Sequence, residues 1–172
     1  MTEIIFKMQV KNKSYINKII LDALKSFNIE VKIKTVIIKK DNRLCDDIEV
    51  DYSTLKSGKI TILFGQNNKI TRKSIFHEIG HVWDAVENGL DFSDDKKFSK
   101  RQQVIGGIII NLSLDGRLEK MKLPHYTRRE RLKFFNYANK KFNLGLNKND
   151  FLKIWGANLK KKDIINMIKK YK

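Results

Sequence analysis

The apolar positions fall into short alternating runs over the first 70 residues and into helical spacing afterwards. Ile4 to Val10 alternates weakly and reads as a first strand. Ser14 is a candidate N-cap for a helix through Phe27, with Ile16, Ile19, Ile20, Ala23, Leu24 and Phe27 on one face and Asn28 closing it. Glu30 to Lys39 alternates apolar and basic residues, as a strand with one solvated face does. Asp41 to Asp47 reads as a polar turn, Ile48 to Tyr52 as a short strand, Lys59 to Phe64 as a clearer one, and Gly65 to Lys69 as a turn.

From Thr71 the period changes. Thr71 can cap a helix, TRKSIFHEIGHVWDAVE, that Asn88 and Gly89 end. A charged loop, Asp91 to Lys97, precedes a second long helix from Ser99 to about Leu123, stopped by Pro124. Gly106 and Gly107 weaken that helix and would let another backbone approach closely. Arg128 to Phe142 and Asn149 to Tyr171 read as further helices. The expected fold class is α+β: a small mixed sheet packed on the Thr71 helix and on the Ser99 helix, with a helical C-terminal part. With no repeat and no Pro- or Ser-rich linker, the chain reads as a single domain over 1–172. Its parts are an N-terminal helix and sheet (1–70), the two helices (71–123) and a helical extension (124–172).

Composition fits this picture and narrows the setting. The 172 residues are 41% hydrophobic, enough for a sizeable core. A net charge of +17 and a pI of about 9.9 admit an acidic partner or nucleic acid, although lysines spread along the whole chain also suit ordinary solvated faces. The N-terminus lacks the basic and apolar regions of a signal peptide. The longest apolar run, Val104 to Ile110, is too short to span a bilayer, so no membrane is expected. The one cysteine, Cys45, has no partner for an internal disulfide. The expected location is the cytoplasm.

The chemistry concentrates in five residues. His77 and His81 are four apart, hence on one helix face and able to reach one metal ion, and Glu78 beside the first can take a proton from a metal-activated water. Ile75, Phe76, Ile79, Val82 and Trp83 surround them, as in a core helix that aims a few polar groups at a cleft. Two histidines that merely pack or face water are the plain alternative, and packing would bury polar groups without a metal to partner them.

A catalytic zinc takes three protein ligands and an open position. Asn111, Asp115 and Glu119 recur every four residues on the Ser99 helix, a polar stripe on an apolar element that needs a polar or metal partner if buried. Asp115 is the favoured ligand, with Glu119 steadying a histidine N–H; the reverse assignment and a merely solvated stripe stay open. Arg117 can pair with a carboxylate. Asp84 shares the face of His77 and His81 and can orient an imidazole or stand in solvent. Cys45 is a rival ligand, without the Gly-rich surroundings of deformylase-type cysteines, and simple packing of a small buried thiol is the favoured reading. His125 and Tyr126 can steady an oxyanion or serve only the loop.

With these residues in place, the chain resembles the gluzincin-like zinc metallopeptidases, particularly the minimal, single-domain minigluzincin type, over roughly residues 48 to 123. The resemblance rests on the strand Lys59 to Phe64, the helix with His77, Glu78 and His81, and a following helix with an acidic residue. Asp115 as ligand departs from the family's customary glutamate. The resemblance implies Zn2+ on His77, His81 and an acidic residue, hydrolysis of a peptide bond with Glu78 as general base, and strand Lys59 to Phe64 as the cleft rim that pairs with an extended peptide or protein substrate. The competing class is a basic nucleic-acid-binding protein whose metal is structural or absent, favoured by the charge and by Arg128 with Arg129, Arg131 with Lys133, and Lys160 to Lys162. It carries no zinc-finger, RNA-binding or helix-turn-helix signature.

Overall fold

A computed structural model describes residues 2–41, 48–51, 53–65, 70–90 and 98–171. The architecture is α+β, with a four-stranded mixed sheet and a helical C-terminal part, as the periodicity predicts. The chain divides into two compact units, Met1–Glu87 and Asn88–Lys172. The division falls at the end of the first of the two helices expected to carry metal ligands. None of the helices is long and apolar enough to cross a membrane among the described residues.

The first unit runs β1 (Glu3–Phe6), α1 (Lys13–Ser26), β2 (Thr35–Lys40), β3 (Ile48–Asp51), β4 (Lys59–Phe64) and α2 (Arg72–Asn88), whose last residue lies across the division. The sheet order is β1-β2-β4-β3. β1, β2 and β4 are parallel, with Ile5 opposite Ile37 and Ile37 opposite Thr61, and β3 is antiparallel to β4. A parallel neighbour requires a crossover, and α1 supplies it between β1 and β2. Val36, Ile38, Ile60, Ile62 and Phe64 are buried, along with the α1 stripe Ile16, Ile19, Ile20, Ala23, Leu24 and Phe27 that the spacing predicts. Phe27 stacks on Trp83 and contacts Phe76, which joins α1 to α2 in one core.

Three expectations need correction here. Ser14 lies inside the first turn of α1, which begins at Lys13 behind an Asn12 in the left-handed region (φ 60). The strand expected from Glu30 begins only at Thr35. Asn28 at φ 55 reverses the chain, and Ile33 N–H bonds to Ile29 O in a helical turn that buries both isoleucines. Strand β4 cannot serve as a cleft rim by backbone pairing, because β2 and β3 occupy both of its edges; the sheet's terminal strand on that side is β3. Cys45 and the turns and loop expected at 42–47, 66–69 and 91–97 lie outside the described residues.

The second unit contains α3 (Lys100–Lys120), α4 (Arg128–Phe142), α5 (Lys148–Ile154) and α6 (Lys161–Lys170). Ser99 and Thr127 cap α3 and α4 in reciprocal boxes with Gln102 and Glu130. Helix α3 stops before Pro124 because Lys122 adopts φ 57, while Lys122 N–H and Leu123 N–H close on Glu119 O and Leu118 O, each at 3.0 Å. The core gathers Ile105, Ile108, Ile109 and Leu112 of α3 with Phe135, Phe151, Trp155, Ile164 and Ile168.

The stretch from Asn149 to Tyr171 is two helices because Gly156 breaks it at φ 65. There the chain meets α3 backbone to backbone: Gly156 N–H bonds to Leu112 O at 3.3 Å, and a Cβ on Gly116 would lie 2.1 Å from Gly156 N. The close approach expected at Gly106 and Gly107 thus occurs at Gly116. Gly106 accommodates only the Ile168 side chain, and Gly107 has nothing within 4 Å.

Candidate metal centre

Helix α2 is fixed at its start by Thr71 and Ser74, whose hydroxyls each accept the other's backbone N–H, at 3.1 and 3.0 Å. It is buried on more than one face: Ile75, Phe76, Ile79 and Val82 are apolar, while Ser74, His77, Glu78 and Asp84 are buried polar residues. A helix this enclosed must give each of its polar groups a partner or a task.

The spacing of four brings the two imidazoles together. His77 Nε2 and His81 Nε2 lie 3.1 Å apart, with ring centroids 4.6 Å apart and planes at 84°. Two nitrogens bound to one tetrahedral zinc at 2.0–2.1 Å stand roughly 3.3 Å apart, so the pair has the separation of two neighbouring ligands. The same distance suits an N–H···N hydrogen bond between the rings. Two imidazole nitrogens at this separation are of the donor type zinc takes, and they are two of the three protein ligands of a catalytic site. Asp84, buried on the same helix, follows His81 by one turn.

The acidic residues of α3 belong to the second unit, where each has protein partners. Asp115 is fully buried. Its Oδ1 accepts the Tyr126 N–H at 3.1 Å, and its Oδ2 pairs with Arg131 Nε, whose guanidinium lies 4.4 Å from the centre of the Tyr126 ring. Glu119 Oε2 accepts from Trp155 Nε1 at 2.9 Å and from Arg128 at 3.2 Å. The Trp155 bond, with Arg128 beside it, holds the Glu119 carboxyl below its ordinary range against the opposing effect of burial. The stripe is therefore not merely solvated: polar partners from α4, the turn before it and residue 155 meet it. Asn111 is half-buried, and Arg117 is buried with Nε 3.4 Å from Ser113 O of its own helix.

His125 Nδ1 lies 2.7 Å from Leu123 O within the turn, and Tyr126 engages Asp115 and Arg131. No group of three or more His, Cys, Asp or Glu set to hold a metal occurs among the described residues. Sequence reasoning passed over Trp155 and did not join Arg131 to Asp115. The sixteen-residue separation leaves no local pattern; only the full burial of Asp115 required a cation.

No family model matches the chain, and neither a curated protein sequence nor a solved structure matches it.

Proposed function

We propose that the protein is a zinc-dependent metallopeptidase that hydrolyses peptide bonds, with His77 and His81 as metal ligands and Glu78 as general base. The observation that carries the reading is the 3.1 Å approach of the two Nε2 atoms on an enclosed helix that also buries Glu78. Zinc, when bound, supplies a Lewis acid that polarises water and the scissile carbonyl. Glu78 takes the proton of the attacking water and passes it to the leaving nitrogen. The buried apolar neighbours Ile75, Ile79 and Val82 limit the freedom of the helix that carries these groups. A catalytic zinc takes three protein donors, and the two imidazoles account for two of them.

The test is cleavage of a mixed peptide library by the zinc-loaded chain, read by mass spectrometry. Glu78→Gln is expected to keep zinc and lose cleavage by 100-fold or more, on the order of a general base's full contribution. Undiminished cleavage by Glu78→Gln would overturn the mechanism.

A further inference from the structure

The charge of the chain is unevenly placed. Between Phe98 and Tyr171 the sequence holds 18 Lys and Arg against five Asp and Glu, so most of the net charge of +17 resides there. All five acids are engaged within the unit. Asp115 and Glu119 hold Arg131, Arg128 and Trp155. Glu130 Oε2 accepts from Thr127 N–H at 2.8 Å, Asp150 from Asn147 N–H and Tyr171 O–H, each at 2.8 Å, and Asp163 from Lys160 N–H at 3.0 Å. The acids serve helix starts and internal ties, and the cations of this stretch outnumber them by 18 to five.

Helix α4 adds the second observation. Its exposed face carries Arg129, Lys133, Lys140 and Lys141 together with two large rings, Phe134 at 49% and Tyr137 at 59% exposure. At 100° per residue these six positions span less than half a turn of the helix, so rings and cations share one surface. Lys141 Nζ sits 5.3 Å from the Tyr137 ring centre and donates to its hydroxyl at 3.0 Å, which holds a cation beside that ring. Thr127 caps the helix in a reciprocal box, and Phe135 and Ala138 anchor its other side in the core.

We infer that the exposed face of α4 binds single-stranded nucleic acid, the cations contacting phosphates and the Phe134 and Tyr137 rings stacking on bases. Duplex DNA offers the same phosphates but keeps its bases stacked on one another, so it leaves the two rings without a role. An acidic polypeptide satisfies the lysines and likewise leaves the rings idle. Single strands use both halves of the surface.

The experiment is fluorescence anisotropy of a labelled 20-nucleotide oligo(dT) with the full chain over a salt series, with a duplex of equal length and polyglutamate as competitors. Phe134→Ala/Tyr137→Ala is expected to weaken oligo(dT) binding roughly tenfold or more with the salt slope unchanged. Arg129→Gln/Lys133→Gln/Lys140→Gln is expected to reduce the slope of log K against log salt by about 2. Unchanged affinity in the aromatic variant, or competition by polyglutamate or duplex as effective as by oligo(dT), would overturn the inference. All six positions are on a solvent-exposed face, and circular dichroism is the check that each variant keeps the helical signal of the parent chain. The readout does not involve His77, Glu78 or His81, so this inference and the peptidase reading fail independently.

Discussion

Replacing Asp115 by alanine tests whether that carboxylate holds the second unit together without a metal. The side chain is wholly buried, its Arg131 partner is 13% exposed, and its other oxygen holds the Tyr126 N–H. Removing one member of a buried pair costs about 3–5 kcal/mol, because the remaining charge is stranded. Arg131 retains an edge to solvent and the face of Tyr126, which favours the lower figure, about 3 kcal/mol. The Tyr126 N–H left without its acceptor adds about 1 kcal/mol. For a chain of this length each kcal/mol moves the melting temperature by about 2–4 °C, so the expected fall is about 8–16 °C.

The assay is thermal unfolding by circular dichroism in excess chelator, with Asp115→Ala, Arg131→Met and the double variant as a cycle. The double variant is expected to be less destabilised than the sum of the single ones, since it leaves no unpaired buried charge. A fall below about 2 °C in chelator, or strict additivity, would refute a metal-independent tie between Asp115 and Arg131.

Two further outcomes follow from the second unit. Gly116→Ala sets a methyl group 2.1 Å from the Gly156 backbone nitrogen. Neither backbone can give way without unseating Trp155 or α3, so a loss of about 3 kcal/mol or more is expected in denaturant unfolding, whereas Gly107→Ala, with open space, is expected to stabilise by up to about 1 kcal/mol. Burial, reinforced by the hydrogen bond to Asp150, pushes the Tyr171 phenol up from 10.0 to about 12. The folded state thus favours the neutral phenol: this stability is fully present below pH 10 and is lost as pH rises through about 12. Asp150→Asn is expected to move the phenolate absorbance titration of Tyr171 part of the way back, and an unchanged titration would contradict the role of Asp150.

Local periodicity carried much of this fold. The α1 stripe, β4, α2 and α4 are legible because each buries a face whose spacing is set within one element. What was hidden depends on partners distant in sequence. The turn at 29–34 contains enough alternation to read as strand, yet Asn28 in the left-handed region turns the chain first. The neighbours of β4 follow from strand order, which no run of six residues encodes. The contact of Gly116 with Gly156 spans forty residues. His77, Glu78 and His81 were legible because a helix fixes their relation; in the second unit, the partners of Asp115 and Glu119 come from residues 9 to 36 positions away along the chain and were not.

Zinc titration calorimetry on the metal-free chain tests the central claim most directly. One zinc per chain is expected, with affinity lost by at least 100-fold in both His77→Ala and His81→Ala and kept in Glu78→Gln. Zinc affinity unchanged in both histidine variants, or no zinc binding by the intact chain, would contradict the account.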